Sequence, residues 1–451
     1  MALLALHIND ASISISTADG MLYREPGFAL LDDGSVITGE SARRQSRLRP
    51  REIQNAYWSG LSTDAIGDRR FSHLTSADLV SHQLEQAWTS ASSAGDRVVV
   101  AVPPYMQSDQ LSLFLGIAAE LGIPVAGMVD AAVAATRREY ENAVPVHIDL
   151  SLHATMLSRL LQPSAAQLER SVIIDSAGVN QLSDAWIRKI SDAFVRQSRF
   201  DPLHTADTEQ MLLDRLPQWL EQSASSDTVI LDVDYRGISH HAEIESIDLI
   251  SAAAPVYQRI ASQLRALLRA GETAALQLTD RAASMPGLAE SLKARVGGDI
   301  FLLERGATTR GLLARCKDMQ AGSGAINLVR QLAWDRSTAV VSTEPAEVLE
   351  GQPTHLLYQS VAYPINDAAI VLGSQASDDG RWIDLKQQMP GVSRRHCSIS
   401  RRDGQCLLED HSRYGTFLNG HQIDGSSVLQ NGDVIRLGTP GVELQLIRAE
   451  G

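Results

Sequence analysis

Residues 393–438 read SRRHCSISRRDGQCLLEDHSRYGTFLNGHQIDGSSVLQNGDVIRLG. This stretch decides the fold of the C-terminal part of the chain. Its apolar runs are short, and Gly, Asn and Asp separate them. Runs bounded by turn residues read as strands, and a succession of them builds a small β-sandwich. The pattern begins near Thr354 and continues to the end of the sequence. Just upstream, AGSGA at Ala321–Ala325 is linker-like, and a short helix is expected around Asn327–Trp334.

Before that linker the pattern is different. Leu3–Ile15 reads as two strands joined by a turn, and VVVAVP at Val98–Pro103 as a buried strand. Helices are expected over Gln107–Leu121 and Ala131–Tyr140, with strands at Val144–Ser151 and Ser171–Gly178. Further helices are expected over Leu182–Phe200, Thr208–Glu221 and Ser251–Ala270, the last followed by the strand TAALQLTD. Mixed strands and helices predict an α/β body over residues 1–315, a linker over 316–353 and an all-β module over 354–451.

Composition narrows the function. With 44% hydrophobic and 21% charged residues, the 451-residue chain has enough apolar material for two to four packed units. A formal net charge of −14 opposes general nucleic-acid binding and adhesion to an anionic membrane. The three cysteines, Cys316, Cys397 and Cys406, have no paired spacing, which suits a reducing compartment and no metal site. The start, MALLALHINDAS, lacks a basic segment, and no run approaches the ~20 apolar residues of a membrane span. A cytoplasmic protein is expected.

Three patches of the C-terminal module resemble the forkhead-associated (FHA) domain family: VLGSQ at Val371–Gln375, SRRH at Ser393–His396 and SRYGTFLNG at Ser412–Gly420. The tail LQNGDVIRLG, Leu429–Gly438, fits as well. The resemblance implies a β-sandwich whose loops read phosphothreonine in partner proteins. A phosphothreonine carries nearly two charges and three acceptor oxygens, so hydroxyl and guanidinium donors suit it. By resemblance, Ser393 donates its hydroxyl to the phosphate, Arg394 approaches the same oxygens, and Arg413 lies on the threonine side. Gly373, His396, Gly415, Asn419 and Gly420 are expected to be structural. Two positions depart from the family: Ser374 replaces the usual phosphate-binding Arg, and Tyr414 replaces the usual Asn. Arg413 or Arg381 is a candidate to compensate. These departures leave open a second reading, in which partners are bound independently of phosphate.

The body resembles the nucleotide-binding domain of DnaK-type heat-shock chaperones, within the actin-like (two-lobed, ribonuclease-H-like) ATPase superfamily. The segments are Val98–Tyr140, VPVHIDLSLHAT at Val144–Thr155, LQLTDRAASMPGL at Leu276–Leu288 and GATTRG at Gly306–Gly311. The resemblance implies two phosphate hairpins and an adenosine loop, each built on glycine so that backbone N–H groups reach the nucleotide. Here the first hairpin carries His7, Asn9 and Asp10. In the second, Asp149 persists but Ser151, Leu152 and His153 replace the glycines. Asp280 and Arg281 replace the glycine pair of the adenosine loop. Asp149 reads as a strand-end residue, and Asp10 places a negative charge where phosphate would lie. The expectation is a pseudo-ATPase with no catalytic residues, no metal and no required cofactor. An ATP-binding conformational switch is the alternative. The expected whole is a non-enzymatic signalling adaptor with a threonine-phosphorylated protein as its partner.

Overall fold

The computed structural model describes residues 2–447 apart from 33–34, 68, 94–95, 270, 318, 320–325, 336–351, 359–360, 376–379, 386–391, 403–404, 414, 420, 432 and 438–441. The chain divides into two units, Met1–Ser342 and Thr343–Gly451.

The first unit begins with an antiparallel meander, β1 (Leu3–His7), β2 (Ile13–Ser16) and β3 (Met21–Glu25). A small sheet follows, β4 (Ala29–Asp32), β5 (Ser35–Thr38) and β6 (Ile53–Gln54), with the short helix α1 (Glu40–Arg43) before β6. Helix α2 (Ser76–Ala91) starts where the Thr75 hydroxyl accepts from the Asp78 N–H and the Asp78 carboxylate accepts from the Thr75 N–H. Strand β7 (Arg97–Val102) then lies parallel to β1. Its five residues after Arg97 are all buried, as a central parallel strand requires. Helix α3 (Ser108–Glu120), β8 (Val125–Asp130) and α4 (Ala131–Ala135) complete this half. Helix α4 ends five residues before the expected Tyr140, because Thr136 leaves helical geometry and its hydroxyl donates to Gln277 Oε1 at 2.8 Å.

The next half repeats the plan. The meander is β9 (Val144–Leu150), β10 (Ala154–Leu161) and β11 (Ala165–Asp175). Helices α5 (Val179–Ser198) and α6 (Ala206–Ser223), the hairpin β12 (Thr228–Tyr235) and β13 (Ile238–Glu245), and α7 (Ser246–Leu267) follow. Strand β14 (Ala274–Leu278) lies parallel to β9. After α8 (Asp280–Ala283) and α9 (Leu288–Val296), β15 (Asp299–Leu302) lies parallel to β14, and α10 (Ala307–Arg315) closes the set. The two sheets therefore share one strand order, β3-β2-β1-β7-β8 and β11-β10-β9-β14-β15.

Residues 326–335 belong to this unit and are extended, which corrects the expected helix at Asn327–Trp334. Strand β16 (Leu328–Val329) pairs with β8, and β17 (Gln331–Ala333) pairs with β11. Two vacant sheet edges outweigh a short local helical pattern. This strap adds an edge to both sheets, and Arg137 holds its end through two hydrogen bonds to Asp335 Oδ2. The expected linker segment Ala321–Ala325 lies outside the described residues.

The second unit stacks two sheets. One has the order β19-β18-β28-β27-β24-β25, from β18 (His355–Tyr358), β19 (Val361–Pro364), β24 (Thr416–Leu418), β25 (His421–Gln422), β27 (Val434–Leu437) and β28 (Val442–Ile447). The other is β21-β20-β22-β23-β26, from β20 (Ile370–Gly373), β21 (Arg381–Asp384), β22 (Cys397–Arg402), β23 (Gln405–Asp410) and β26 (Ser426–Leu429). Leu356, Leu372, Ile399, Leu408, Ile435 and Leu446 form the core between them. All three cysteines are buried and unpaired.

Candidate functional site: the loop tip of the sandwich and the centre of the body

In the second unit, three loops meet at the end of β20. Gly373 finishes that strand directly against the 393–395 segment. A Cβ on Gly373 would sit 1.9 Å from the Arg394 carbonyl oxygen, so only glycine allows this approach. The Ser374 N–H donates to the Ser393 carbonyl at 3.1 Å, and the Arg413 N–H donates to Ser393 Oγ at 3.2 Å. Ser393 therefore joins all three loops, and its hydroxyl proton is not fixed by that bond. Arg394, Arg395 and Arg413 are exposed around it. Among the described residues, neither Arg394 nor Arg395 has a carboxylate at ion-pair distance.

His396 fixes this arrangement from beneath. It is fully buried, its Nδ1 accepts from the Ser393 N–H at 3.1 Å, and its Nε2 lies 3.3 Å from the Gly415 carbonyl. An Nδ1 that accepts leaves the proton on Nε2, which then donates to Gly415. Burial lowers the imidazole pKa and favours this neutral form. Gly415 has φ +90°, a conformation costly for a side-chain-bearing residue. Burial works to raise the Asp410 carboxyl, but the Ser412 N–H and the Thr416 hydroxyl hold it below its usual value. Asn419 braces the neighbouring turn, with Nδ2 donating to Asp433 Oδ1 at 2.8 Å and Oδ1 accepting from the Val434 N–H at 2.9 Å. Tyr414 and Gly420 lie outside the described residues.

Arg381 does not compensate for Ser374. It sits at the start of β21 opposite Ile370, while Gly373 is opposite Asp384 at the other end of the strand. Its guanidinium donates to Asn366 Oδ1 at 2.7 Å and to the Ala368 and Pro364 carbonyls.

Residues 370–438 match the family model of the FHA domain. The second unit carries an FHA domain. FHA domains bind phosphothreonine-containing proteins. The FHA loops are those just described, since the match spans β20 to β27 and encloses Ser393, Arg394, His396 and Arg413. No curated protein matches the chain.

The centre of the first unit is a different kind of site. The β1–β2 and β9–β10 turns face one another there, and their side chains bond to each other. Asn9 Nδ2 donates to Asp149 Oδ2 at 2.7 Å and to the Leu150 carbonyl at 3.1 Å. Thr279 Oγ1 donates to Asp149 Oδ1 at 2.8 Å, and Arg281 Nη1 donates to Asp149 Oδ1 at 3.2 Å and to the Leu150 carbonyl at 2.7 Å. Asp149, next to the last residue of β9, is thus the hub of a buried network. Burial raises its pKa, but Arg281 and the other donors outweigh that and keep it ionised.

Asp10 closes the gap from the other side, and Oδ1 accepts from the Leu152 N–H at 2.7 Å. Burial pushes its pKa up to about 6. Ser151 Oγ accepts from the Ala154 N–H at 3.0 Å, which stabilises its own tight turn. Burial also brings His7 down to about 4, so that residue is neutral. Asp280 faces Arg24 at 3.4 Å. On one side of Asp149 lies a cavity of about 30 Å³, lined by His7, Arg24, Asp149, Asp280, Arg281 and Gly306. Among the described residues no cluster of three or more His, Cys, Asp or Glu could hold a metal ion. No helix there is long and apolar enough to cross a membrane.

Sequence reasoning missed the partners at this centre. Asn9 and Asp149 are 140 positions apart, so only the facing of the two turns brings them together. The half-buried Tyr105, whose hydroxyl accepts from the Asp10 N–H at 3.3 Å, was also not legible.

Proposed function

We propose that this chain is a non-enzymatic cytoplasmic adaptor. Its FHA domain recruits a threonine-phosphorylated protein, and its body is an actin-like scaffold of the DnaK-type that does not turn over nucleotide. The observation that carries the first part is Ser393, held by the Arg413 N–H and the buried His396 beside the exposed Arg394. The Ser393 hydroxyl and the exposed Arg394 guanidinium, carried on a braced loop, offer a doubly charged phosphate strong donors.

The actin-like reading draws support from the repeated strand order of the two sheets. The residues between the hairpins do not fit a nucleoside triphosphate with Mg²⁺. Side-chain bonds among Asn9, Asp10, Asp149, Arg281 and the Leu152 N–H occupy the place where the phosphates would lie. The strap adds to this, because one segment whose two strands pair with different sheets opposes the opening and closing of two halves.

A second reading, binding without phosphate, is favoured by Ser374, which brings no cation to the loop tip. A pull-down with the full chain on matched phosphothreonine and threonine peptide pools separates the two. Recruitment through phosphate requires enrichment on the phosphorylated pool, reduced in Ser393→Ala and Arg394→Ala. Equal enrichment on both pools supports the second reading instead.

A further inference from the structure

The body holds a far larger cavity, of about 1040 Å³, that begins at the two facing turns, where Ala11, Leu152 and His153 line it. One wall comes from the small sheet and α1, with Phe28 and Ile53. The facing wall comes from α5, α6 and the turn after α8, with Trp186, Leu213, Leu216 and Met285. This volume lies at the upper end of small-molecule sites, and such sites are mainly apolar with few polar groups.

The two walls are fastened to one another. Arg43 meets Asp214 at 3.2 Å, and Arg47 meets Asp184 and also Glu209, the latter at 3.2 Å. The Arg47 N–H donates to Gln210 Oε1 at 2.9 Å. The cavity is thus formed before any ligand arrives, which lowers the entropic cost of binding.

Charge decides what can enter. The ionic lining groups are Arg43 and Arg47 against Glu40, Asp184 and Glu221. Arg43 is paired with Glu40 and Asp214, and Arg47 with Asp184 and Glu209. An anion would find both cations spent and an excess of carboxylate. A cationic head would find Glu221, but that group lies on the exposed rim, where water weakens the attraction. The favourable energy comes from apolar contact. We infer that this cavity binds an uncharged, mainly apolar small molecule, and that it excludes anionic ligands, nucleotides among them.

Two naphthalene fluorophores test this on the full chain: uncharged prodan and anionic 1-anilinonaphthalene-8-sulfonate. Prodan should saturate at one equivalent with a blue-shifted emission and should raise the melting temperature, a readout that needs no variant. The sulfonate should bind at least tenfold more weakly. Leu220→Trp and Ile53→Trp, both at half-buried positions, should each weaken prodan at least tenfold. Asp184→Asn, which removes one partner of Arg47, should strengthen the sulfonate at least threefold. Four results would each overturn the inference: unsaturable prodan binding, no thermal shift, equal affinity for both probes, or no change in any variant.

Discussion

Asn9 and Asp149 share a 2.7 Å hydrogen bond between the two facing turns of the body. The Asn9 amide donates also to the Leu150 carbonyl, so one side chain of the first turn holds two groups of the second. The bond ties the β1–β2 and β9–β10 turns together at the centre of the fold.

Asp149→Ala should therefore destabilise the body rather than alter an activity. It would leave the half-buried Arg281 guanidinium, the Asn9 amide and the Thr279 hydroxyl without their shared acceptor. Removing one partner of a buried charged network costs about 3–5 kcal/mol. Urea denaturation monitored by circular dichroism should show that loss. A cost under about 1 kcal/mol would mean that the network is incidental.

Asp10 gives a pH signature. Its folded pKa of about 6 exceeds the unfolded value of 3.8, so the folded state binds this proton more tightly. The contribution is fully present below the unfolded value and is lost as pH rises through about 6. Asp10→Asn keeps an acceptor for the Leu152 N–H and removes the charge. Relative to the unmodified chain, the variant should gain melting temperature between pH 4 and pH 7. A constant difference across that range would show that Asp10 is not the group responsible.

The strap can be tested without disturbing the sheet centres. Leu332 is buried, and the Leu168 N–H donates to the Arg330 carbonyl at 2.9 Å. Leu332→Asp should release β17, and hydrogen exchange at Leu168 should speed up at least tenfold. The β9–β10 pairing should stay protected. Uniform loss of protection would mean that the strap holds the whole body and not only its edges.

In the FHA domain, His396→Ala removes the acceptor for the Ser393 N–H and the donor to Gly415. Each buried group left unsatisfied costs about 1–3 kcal/mol. The melting temperature of this unit should fall, and affinity for a phosphothreonine peptide should fall at least tenfold, because Ser393 loses its brace. Unchanged affinity in a folded variant would separate His396 from the binding loops.

How much of this could be read from the sequence depended on whether the partners were local. Strand β7 was legible because a run of Val and Ala can only be a buried strand or helix, and Pro103 ends it. The sandwich was legible from its turn residues. Strand β10 was not, because buried Ser158 and Arg159 interrupt its apolar run. Arg159 is tolerated there because Glu169 and Glu272, the latter at 2.7 Å, neutralise it from distant positions. The strap read as a helix because Leu328, Val329 and Leu332 also suit helical spacing; the two open sheet edges are visible only in three dimensions. Ser393, Arg394 and Arg413 could be named from motif order, whereas the engagement of Arg381 with Asn366 could not.

Calorimetric titration of the full chain with one peptide, phosphorylated and unphosphorylated at a single threonine, tests the central claim most directly. The peptide is the best binder taken from the phosphothreonine pool. The phosphorylated form should bind at least tenfold more tightly, with the difference abolished in Arg394→Ala. Equal affinity for the two forms would contradict the claim.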